Sequence, residues 1–434
     1  MTIRTLPMLI RLALRFAALG LKFGLTIVIA RTLGFDAVAV YGLAVAVSVV
    51  ASKLLGLGFS TELNRRLSAS DPLPAIGEAR RLGTLFGGLY LLACTSLAIA
   101  SLAGFPADAF GLSTRMLWCI LLVALSEHAA FETNAWMFSL HRPRMGSLLL
   151  FVRTGAWAGI ACASLLSGAV RSIEAVFALW FACNACVVAV SWQRIGVLAR
   201  RARHARRFAH APAAHDMITV WLHGLPFYAA GGLLSILQYA ERFIAGGHVN
   251  ADALGRYVFA WSVANGVQTV AFAAVVATAA PGFVRALADD PAEFRRRLRR
   301  AVAASASLAA LLSIAILVVH DDLFRLANER PGAHEVALLA VLLASFVLRA
   351  AADVLWAAAI ALRAGVGVTL AMAGVALVCV PAAWYLIAGF GTTGAALAHL
   401  TASVAIVVAL ATIVLRGGRI HSAGAIRRSV SDVA

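Results

Sequence analysis

Three cations lie on one face of the first apolar segment of this chain, where a membrane helix is expected. Arg11, Arg15 and Lys22 are spaced four and seven residues apart within the segment Leu9–Arg31, and this spacing places them on one side of a helix. A cation at the centre of a lipid-exposed helix costs about 2.5–3.5 kcal/mol. We therefore expect these side chains to face a hydrated cavity or buried partners, and a positive cavity suits an anionic cargo.

Two further cations lie near the ends of other apolar segments. Lys53 is close to the end of the second segment and Arg153 is a little inside the fifth. Arginine suits phosphate because its planar guanidinium donates to two oxygens at once. Both side chains could instead extend towards the membrane interface, as long cationic side chains do. The sequence leaves these two interpretations open.

A second group of ionisable residues lies at membrane depth, where such residues are usually functional. Glu127, His128 and Glu132 fall in the fourth segment, and Arg349 and Asp353 fall in the tenth. His128 with Glu132, and Arg349 with Asp353, are four residues apart and can meet on one helix face. Glu132 or Asp353 could carry a proton that couples transport to a gradient, aided by His128. The alternative is a structural role, and for Arg349 and Asp353 we favour a salt bridge.

Two other features of the apolar segments bear on movement. Glu241 and Arg242 end the seventh segment, where they could form a local pair or a gate latch. Pro381 interrupts the eleventh segment, and proline predicts a kink because it removes a backbone hydrogen bond.

The composition of the 434-residue chain is that of a membrane protein. Hydrophobic residues make up 62% of it, and its mean hydropathy is +0.88. The net charge of +17 lies at the ends of apolar segments, which indicates membrane topology and not nucleic-acid binding. The six cysteines lie inside apolar segments, so we expect neither disulfides nor a metal site.

The elements that must position these residues are twelve apolar segments, each long enough to span a membrane. They lie near Leu9–Arg31, Val38–Phe59, Leu82–Gly104, Arg115–Leu140, Leu148–Val170, Glu174–Ile195, Met217–Gly247, Leu254–Ala280, Ala301–His320, Val336–Leu362, Val366–Ala388 and Thr392–Leu415. Most arginines fall in alternate connections, which places both termini in the cytoplasm. The sequence therefore predicts an all-α integral membrane protein with about twelve transmembrane helices.

The two halves of the chain repeat. Arg66, Asp71, Pro72, Arg80 and Arg81 recur 219 residues later as Arg285, Asp290, Pro291, Arg299 and Arg300, and His128, Glu132 and Trp136 correspond to Arg349, Asp353 and Trp356. Each half has six segments, so we expect two six-helix lobes related by a pseudo-two-fold axis along the membrane normal. The predicted domains are an N-terminal lobe at 1–196, a basic cytoplasmic linker at 197–216, a C-terminal lobe at 217–416 and a basic cytoplasmic tail at 417–434.

Short motifs along nearly the whole chain resemble one transporter family. They are Ile29–Gly34, Tyr41–Ala44, Gly56–Gly58 with Arg65 and Arg66, Gly224–Pro226, Glu241–Ile244, Leu254–Tyr257 and Gly391–Ala396. The chain resembles the polysaccharide-transporter branch of the multidrug/oligosaccharidyl-lipid/polysaccharide exporter (MOP) superfamily, the flippases for O-antigen and exopolysaccharide repeat units. Glu241-Arg242 departs from the Asp-Arg that the family often has at this place.

This resemblance implies a mechanism and a cargo. It implies two lobes around a central cavity that work by alternating access in a bacterial inner membrane. The implied cargo is an undecaprenyl-pyrophosphate-linked oligosaccharide, moved from the cytoplasmic to the periplasmic leaflet. The implied partners are this lipid-linked oligosaccharide, membrane lipids and other polysaccharide-assembly proteins.

Two alternatives come from other classes. A multidrug/cation antiporter of the same superfamily would share the fold, but a cavity for cationic drugs favours an acidic lining. A membrane-embedded polysaccharide ligase or polymerase would need an extended periplasmic loop, and the longest candidate, His320–Glu335, has 16 residues. A phosphate-binding glycine loop is absent from the sequence, so we do not expect direct drive by ATP. We expect no catalytic residue and no cofactor, and the sequence leaves open a proton gradient, a sodium gradient or neither.

Overall fold

A computed structural model describes residues 6–68, 72–104, 112–205 and 217–431, and every regular element within these ranges is helical. The helices are α1 (Leu6–Leu33), α2 (Phe35–Leu54), α3 (Phe59–Leu67), α4 (Leu73–Leu102), α5 (Thr114–Ser139), α6 (Pro143–Phe151), α7 (Trp157–Leu166), α8 (Ile173–Ala205), α9 (Met217–Gly246), α10 (Ala251–Ala271), α11 (Ala277–Asp289), α12 (Pro291–Val318), α13 (His320–Leu326), α14 (Ala333–Ala361) and α15 (Gly365–Ser431). Two π-helical segments join α6 to α7 (Val152–Ala156) and α10 to α11 (Phe272–Val276).

The long helices confirm the predicted membrane fold. Ten helical stretches in the described ranges are long and apolar enough to cross a membrane. One of them, Gly365–Gly417, covers the last two predicted spans, because α15 changes direction at Gly391, where φ is 55°. The seventh predicted span coincides with α9, which is 30 residues long. Each predicted span therefore has a helical counterpart.

The chain packs as two compact units, Met1–Tyr228 and Ala229–Ala434. The sequence placed the division in a linker at 197–216, yet α8 continues as helix into that stretch and the first part of α9 belongs to the first unit. Residues 206–216 lie outside the described ranges. The predicted tail begins inside α15, which is helical through residue 431.

Helix α5 lies at the centre of the first unit, where it packs against α2, α6 and α8, while α1 packs against α2 and α7. Small residues allow the closest approach. A Cβ atom added at Gly155 would lie 2.7 Å from the Cα atom of Ala18 in α1. Helices in membranes associate through such close packing of small residues. The π-helical segment that contains Gly155 is therefore held directly against α1.

The second membrane helix of each unit is interrupted at a repeat-related place. In the first unit, α2 ends at Leu54 and α3 begins at Phe59, after Gly58 has taken up a left-handed conformation with φ of 81°. In the second unit, α10 passes into the π-helical segment Phe272–Val276. The 219-residue offset of the repeat brings these two irregularities into register.

Helix α14 lies at the centre of the second unit and packs against α10, α12 and α15. It corresponds to α5 in the repeat, since Arg349 and Asp353 of α14 match His128 and Glu132 of α5. Both units thus place their ionisable residues on a helix that is surrounded by other helices. Such a helix must satisfy polar side chains within the protein, because lipid offers no hydrogen bonds.

Candidate functional site

A buried ion pair lies in the first unit. Arg153 Nη1 donates to Glu127 Oε1 at 2.5 Å, and each side chain is only 11% exposed. The other carboxylate oxygen of Glu127 accepts from Trp180 Nε1 and Asn184 Nδ2, both at 3.0 Å. The Glu127 carboxylate thus has three donors from two elements, which offset the cost of removing its charge from water.

The π-helical segment Val152–Ala156 positions Arg153. Such segments insert one extra residue per turn and are frequent at functional sites. The indole nitrogen of Trp157 donates to the carbonyl oxygen of Arg153 at 2.8 Å, and Gly155 fixes the segment against α1. Arg153 was predicted to be a cargo ligand or to extend towards the membrane interface. The ion pair with Glu127 holds the guanidinium among the helices, and both interpretations stay predictions.

Aromatic rings position the other cations. Lys22 Nζ lies 5.6 Å from the ring centroid of Trp180. Lys53 Nζ and Arg153 Cζ each lie 5.3 Å from the ring centroid of Phe131. A cation over an aromatic face is stabilised while its N–H donors stay available for another ligand. We call Lys22, Lys53 and Arg153, with Glu127 and the two rings, the cationic cluster.

The cationic side chains of the cluster differ in their exposure to solvent. Lys22 is half-buried, whereas Lys53 is exposed. Arg15, one of the predicted partners of Lys22 on α1, is exposed as well. Arg11 lies in α1, but its side chain is outside what the structure describes. The structure thus assembles two of the five predicted cargo ligands, Lys22 and Arg153, around one carboxylate, and adds Lys53 through Phe131.

The two aromatic rings of the cationic cluster, and Asn184, which donates to its carboxylate, were not predicted from the sequence. Trp180 and Asn184 lie four residues apart on α8 and contact the same carboxylate oxygen. Trp180 also stacks on Trp157, with ring centroids 4.6 Å apart and an interplanar angle of 4°. Phe131 directly precedes Glu132, but a phenylalanine in an apolar helix does not by itself indicate a site. An asparagine one turn from a tryptophan in an apolar helix was the signal available for Trp180 and Asn184.

His128 and Glu132 do not meet as their spacing suggested. His128 Nδ1 contacts the hydroxyl of Tyr90 at 2.5 Å, and its ring packs edge-on against Phe86. Glu132 Oε1 accepts from Ser60 Oγ at 2.5 Å. Glu132 is fully buried and its second carboxylate oxygen has no partner among the described residues. The carboxyl group therefore lies beside the interruption between α2 and α3.

The predicted salt bridge between Arg349 and Asp353 is wrong. Arg349 Nε donates to Ser403 Oγ at 3.0 Å and its Nη2 donates to the Leu237 carbonyl at 3.3 Å. Asp353 Oδ2 accepts from Gln268 Nε2 at 2.8 Å. The reason is geometric, because each side chain reaches a different neighbouring helix before it reaches the other.

Glu241 and Arg242 are both buried in the second unit. The Tyr257 hydroxyl donates to Glu241 Oε1 at 3.3 Å. The Arg242 guanidinium lies 3.8 Å from the ring centroid of Trp261 and 5.1 Å from that of Tyr239. These contacts fix both side chains to neighbouring aromatic residues. The gating role predicted for them stays a prediction.

A polar cluster joins α3, which is not among the described stretches that could span a membrane, to the first turns of α4. Arg65 donates to Glu62 through two nitrogens, at 2.7 and 2.5 Å. Arg66 bridges Glu62 and Glu78, at 3.0 and 3.1 Å. The hydrogen bonds from Arg65, helped by Arg66, lower the pKa of Glu62 to about 2. This carboxylate therefore stays charged at any physiological pH.

No group of three His, Cys, Asp or Glu side chains that could hold a metal ion occurs among the residues that the structure describes. The cationic cluster brings three cations and one carboxylate together among the membrane helices of the first unit. Its chemistry is recognition of an anion by arginine and lysine donors.

The chain is similar to known proteins in its structure. No protein-family model and no curated protein matches the chain. The chain is similar to an inward-facing multidrug resistance MATE family transporter of the MOP superfamily, with a TM-score of 0.68, 16% identity and coverage of 94% of each chain. It is similar to the lipid II flippase MurJ in an inward closed conformation, with a TM-score of 0.68, 11% identity and coverage of 98% of this chain and 93% of MurJ.

A third solved structure is a MOP superfamily transporter from Pyrococcus furiosus, for which a binding pocket of reverse polarity suggests a different function. The TM-score is 0.55 at 16% identity, with coverage of 96% of this chain and 94% of that chain. Identities this low establish the fold and leave the activity to be argued from the residues. The chain has the two-lobe, twelve-helix fold of these transporters.

Proposed function

We propose that this chain is a flippase that moves an undecaprenyl-pyrophosphate-linked oligosaccharide from the cytoplasmic to the periplasmic leaflet of a bacterial inner membrane. The observation that carries the proposal is the cationic cluster of the first unit. Lys22, Lys53 and Arg153 lie on or beside two aromatic rings, and one of the three is in an ion pair among the described residues. This leaves two lysines with donors for an anion.

The chemistry of the cargo requires such a cluster. A diphosphate cannot enter hydrocarbon without groups that replace its lost hydration, because desolvation of its charges is very costly. Fixed cations in the protein supply this replacement, while the lipid tail stays in the bilayer. Cation–π contacts suit the task because they hold Lys22 and Lys53 in place without consuming their N–H donors. Arg15, which is exposed, would extend the positive surface along α1.

The similarity in fold is compatible with two kinds of cargo. One relative in structure is a lipid II flippase and another is a multidrug transporter, at the same TM-score. Cationic drugs would be repelled by the surplus of positive charge in the cationic cluster. An anionic, lipid-linked cargo is favoured for the same reason. The alternative of a ligase or polymerase gains no support from a fold shared with transporters.

Coupling to a proton or sodium gradient is part of the proposal, with Glu132 and Asp353 as the coupling residues. They occupy equivalent positions in the repeat. Glu132 accepts a hydrogen bond from Ser60 in α3, just after the interruption that follows α2. Asp353 accepts one from Gln268 in α10, just before the π-helical segment Phe272–Val276. Charge changes at these carboxyl groups would act on irregular, compliant segments.

The test is a transport assay in proteoliposomes that contain a lipid-linked oligosaccharide. Lys22→Ala and Lys53→Ala should each reduce the rate of translocation at least tenfold, since each removes one charge-assisted contact. Arg15→Ala tests whether the site extends along α1. Arg171→Ala is the matched control, because Arg171 is exposed and donates to the nearby Gly168 carbonyl.

Two results would contradict the proposal. Unchanged translocation by both lysine variants would make the cationic cluster structural. Efflux of a cationic dye by the wild-type protein, without translocation of the lipid-linked oligosaccharide, would favour the drug-exporter alternative. Monodispersity in detergent must be shown for every variant, so that loss of activity is separated from loss of folding.

A further inference from the structure

Glu127 is the one carboxylate that contacts a cation of the cationic cluster directly among the described residues. A carboxylate in an anion-binding site competes with the ligand for the same donors. We propose that Glu127 is an internal counterion that exchanges Arg153 with the anionic headgroup of the cargo, and so makes the headgroup releasable. This inference rests on the proposed function, and it assigns to Glu127 a role in specificity and release.

The Glu127 carboxylate is the fixed member of the pair. Both of its oxygens are used, Oε1 by Arg153 and Oε2 by Trp180 and Asn184. Trp180 is in turn immobilised by its stacking on Trp157. Asn184 is fully buried. A carboxylate held by two such donors keeps its position when Arg153 moves.

Arg153 is the movable member. Its contact with Glu127 uses one nitrogen and not the two-point geometry that arginine prefers for carboxylates. Its Nε atom is buried without a partner among the described residues. The guanidinium therefore has unused donors. A long arginine side chain can redirect these donors by rotation about its own bonds, without movement of the backbone.

The exposed Lys53 marks where an anion would meet Arg153. Both cations lie 5.3 Å from the centroid of the Phe131 ring, so they are separated by at most twice that distance. The two cations also interact electrostatically, so an anion that arrives at Lys53 lies in the field of the guanidinium. A headgroup with two phosphates could engage both cations, whereas Glu127 engages Arg153 alone.

Lys22 stabilises the Glu127 carboxylate during the exchange. It lies on Trp180 and interacts electrostatically with both Glu127 and Arg153. When Arg153 turns to the cargo, Glu127 keeps Trp180, Asn184 and the positive field of Lys22. The carboxylate is then not left as an unpaired buried charge, which would be strongly destabilising.

The consequence for transport follows from competition. A binding site whose arginine is partly occupied by an internal carboxylate has an apparent dissociation constant equal to the intrinsic constant divided by the fraction of time that the arginine is free. Weaker binding speeds release after translocation. Removal of the Glu127 charge should therefore tighten binding and slow turnover, which is the opposite of what removal of a structural residue would do.

The experiment measures binding and transport in Glu127→Gln. Glutamine retains an oxygen that accepts from Trp180 and Asn184 but carries no charge for Arg153. The probe is a short-chain polyprenyl diphosphate, with the corresponding uncharged alcohol as its reference. We expect Glu127→Gln to bind the diphosphate about tenfold more tightly and to translocate lipid-linked oligosaccharide more slowly at saturation. Glu174→Gln, which neutralises a half-buried acid in the first turn of α8, is the matched control.

Further variants distinguish a folding defect, a failure of the Glu127 inference and a failure of the proposed function. Glu127→Asp retains the charge but shortens the side chain, so it should tighten binding to a smaller degree and covers the case in which Glu127→Gln does not fold. Arg153→Gln added to Glu127→Gln should abolish the gain. Unchanged or weaker binding in Glu127→Gln, with a wild-type protein that prefers the diphosphate over the alcohol, would overturn the inference alone. A wild-type protein without that preference would overturn the proposed function.

Discussion

The contact between Gly58 and Gly224 gives a sharp prediction about stability. Gly224 lies in α9, and a Cβ atom added there would overlap the carbonyl oxygen of Gly58. That oxygen belongs to backbone in a left-handed conformation, so it cannot rotate out of the way as a side chain would. Overpacking costs about 1–3 kcal/mol. Displacement of α9 would also stretch the 2.7 Å hydrogen bond from the Tyr228 hydroxyl to the Leu54 carbonyl, worth about 1 kcal/mol.

Gly224→Ala should therefore destabilise the protein by about 2–4 kcal/mol. Two variants isolate the contributions. Tyr228→Phe removes the hydrogen bond alone and should cost about 1 kcal/mol. Gly231→Ala adds a methyl group where no atom lies within 4 Å, so it should be neutral or stabilise by about 0.5–1 kcal/mol, as alanine does in a helix.

The assay is thermal unfolding in detergent at one fixed scan rate, because large membrane proteins often unfold irreversibly and their apparent melting temperatures depend on rate. The expected order of stability is Gly231→Ala at or above wild type, then Tyr228→Phe, then Gly224→Ala. If Gly224→Ala unfolds at the same temperature as Gly231→Ala, the reasoning from backbone contact is refuted. Hydrogen exchange at residues 55–58 would locate the effect at the interruption of the second span.

Three further predictions can be checked independently. The pKa of Glu62 is lowered to about 2, chiefly by its hydrogen bonds with Arg65. The stabilisation of α3 by this carboxylate should therefore be complete above pH 4.5 and be lost as the pH falls towards 2. Amide-exchange protection of α3 measures this pH dependence, which should be absent in Glu62→Gln. Glu132→Gln and Asp353→Asn should each abolish the effect of an imposed ion gradient on transport while exchange without a gradient persists; an unaltered gradient response in both would exclude them as coupling residues. Reporter fusions at either terminus should be active as a cytoplasmic fluorescent protein and inactive as a periplasmic phosphatase, and the reverse result would invert the predicted topology.

The sequence predicted correctly which ionisable residues share a helix, but not which groups they hydrogen-bond. The spacing of four residues correctly placed Arg349 and Asp353 on one helix, but their partners come from α9, α10 and α15. The rule for spacing within a helix describes an isolated helix in water. In a bundle, a long polar side chain bonds whichever neighbouring helix offers a group first. Spacing along one helix carries no information about which neighbouring helix that is.

The sequence likewise predicted that the last helices are interrupted, but not at which residue. Pro381 was predicted to kink the eleventh span, yet it lies within the continuous helix α15, and the non-helical residue is Gly391. Proline removes one hydrogen bond, which a membrane helix can compensate locally. The turn at Gly391 needs a positive φ that only glycine adopts readily. Which glycine is used depends on where the next helix must pack.

The sequence by itself determined the class of the protein, the number of its membrane helices and the charges that lie within them. These properties follow from local composition, because apolar length and charge content are counted along the chain. The tertiary structure alone decided that Arg153 pairs with Glu127, that Lys53 shares the Phe131 ring with it and that Glu132 contacts Ser60. Those choices depend on the rotation and depth of each helix relative to its neighbours, which is set by packing between residues far apart in the chain.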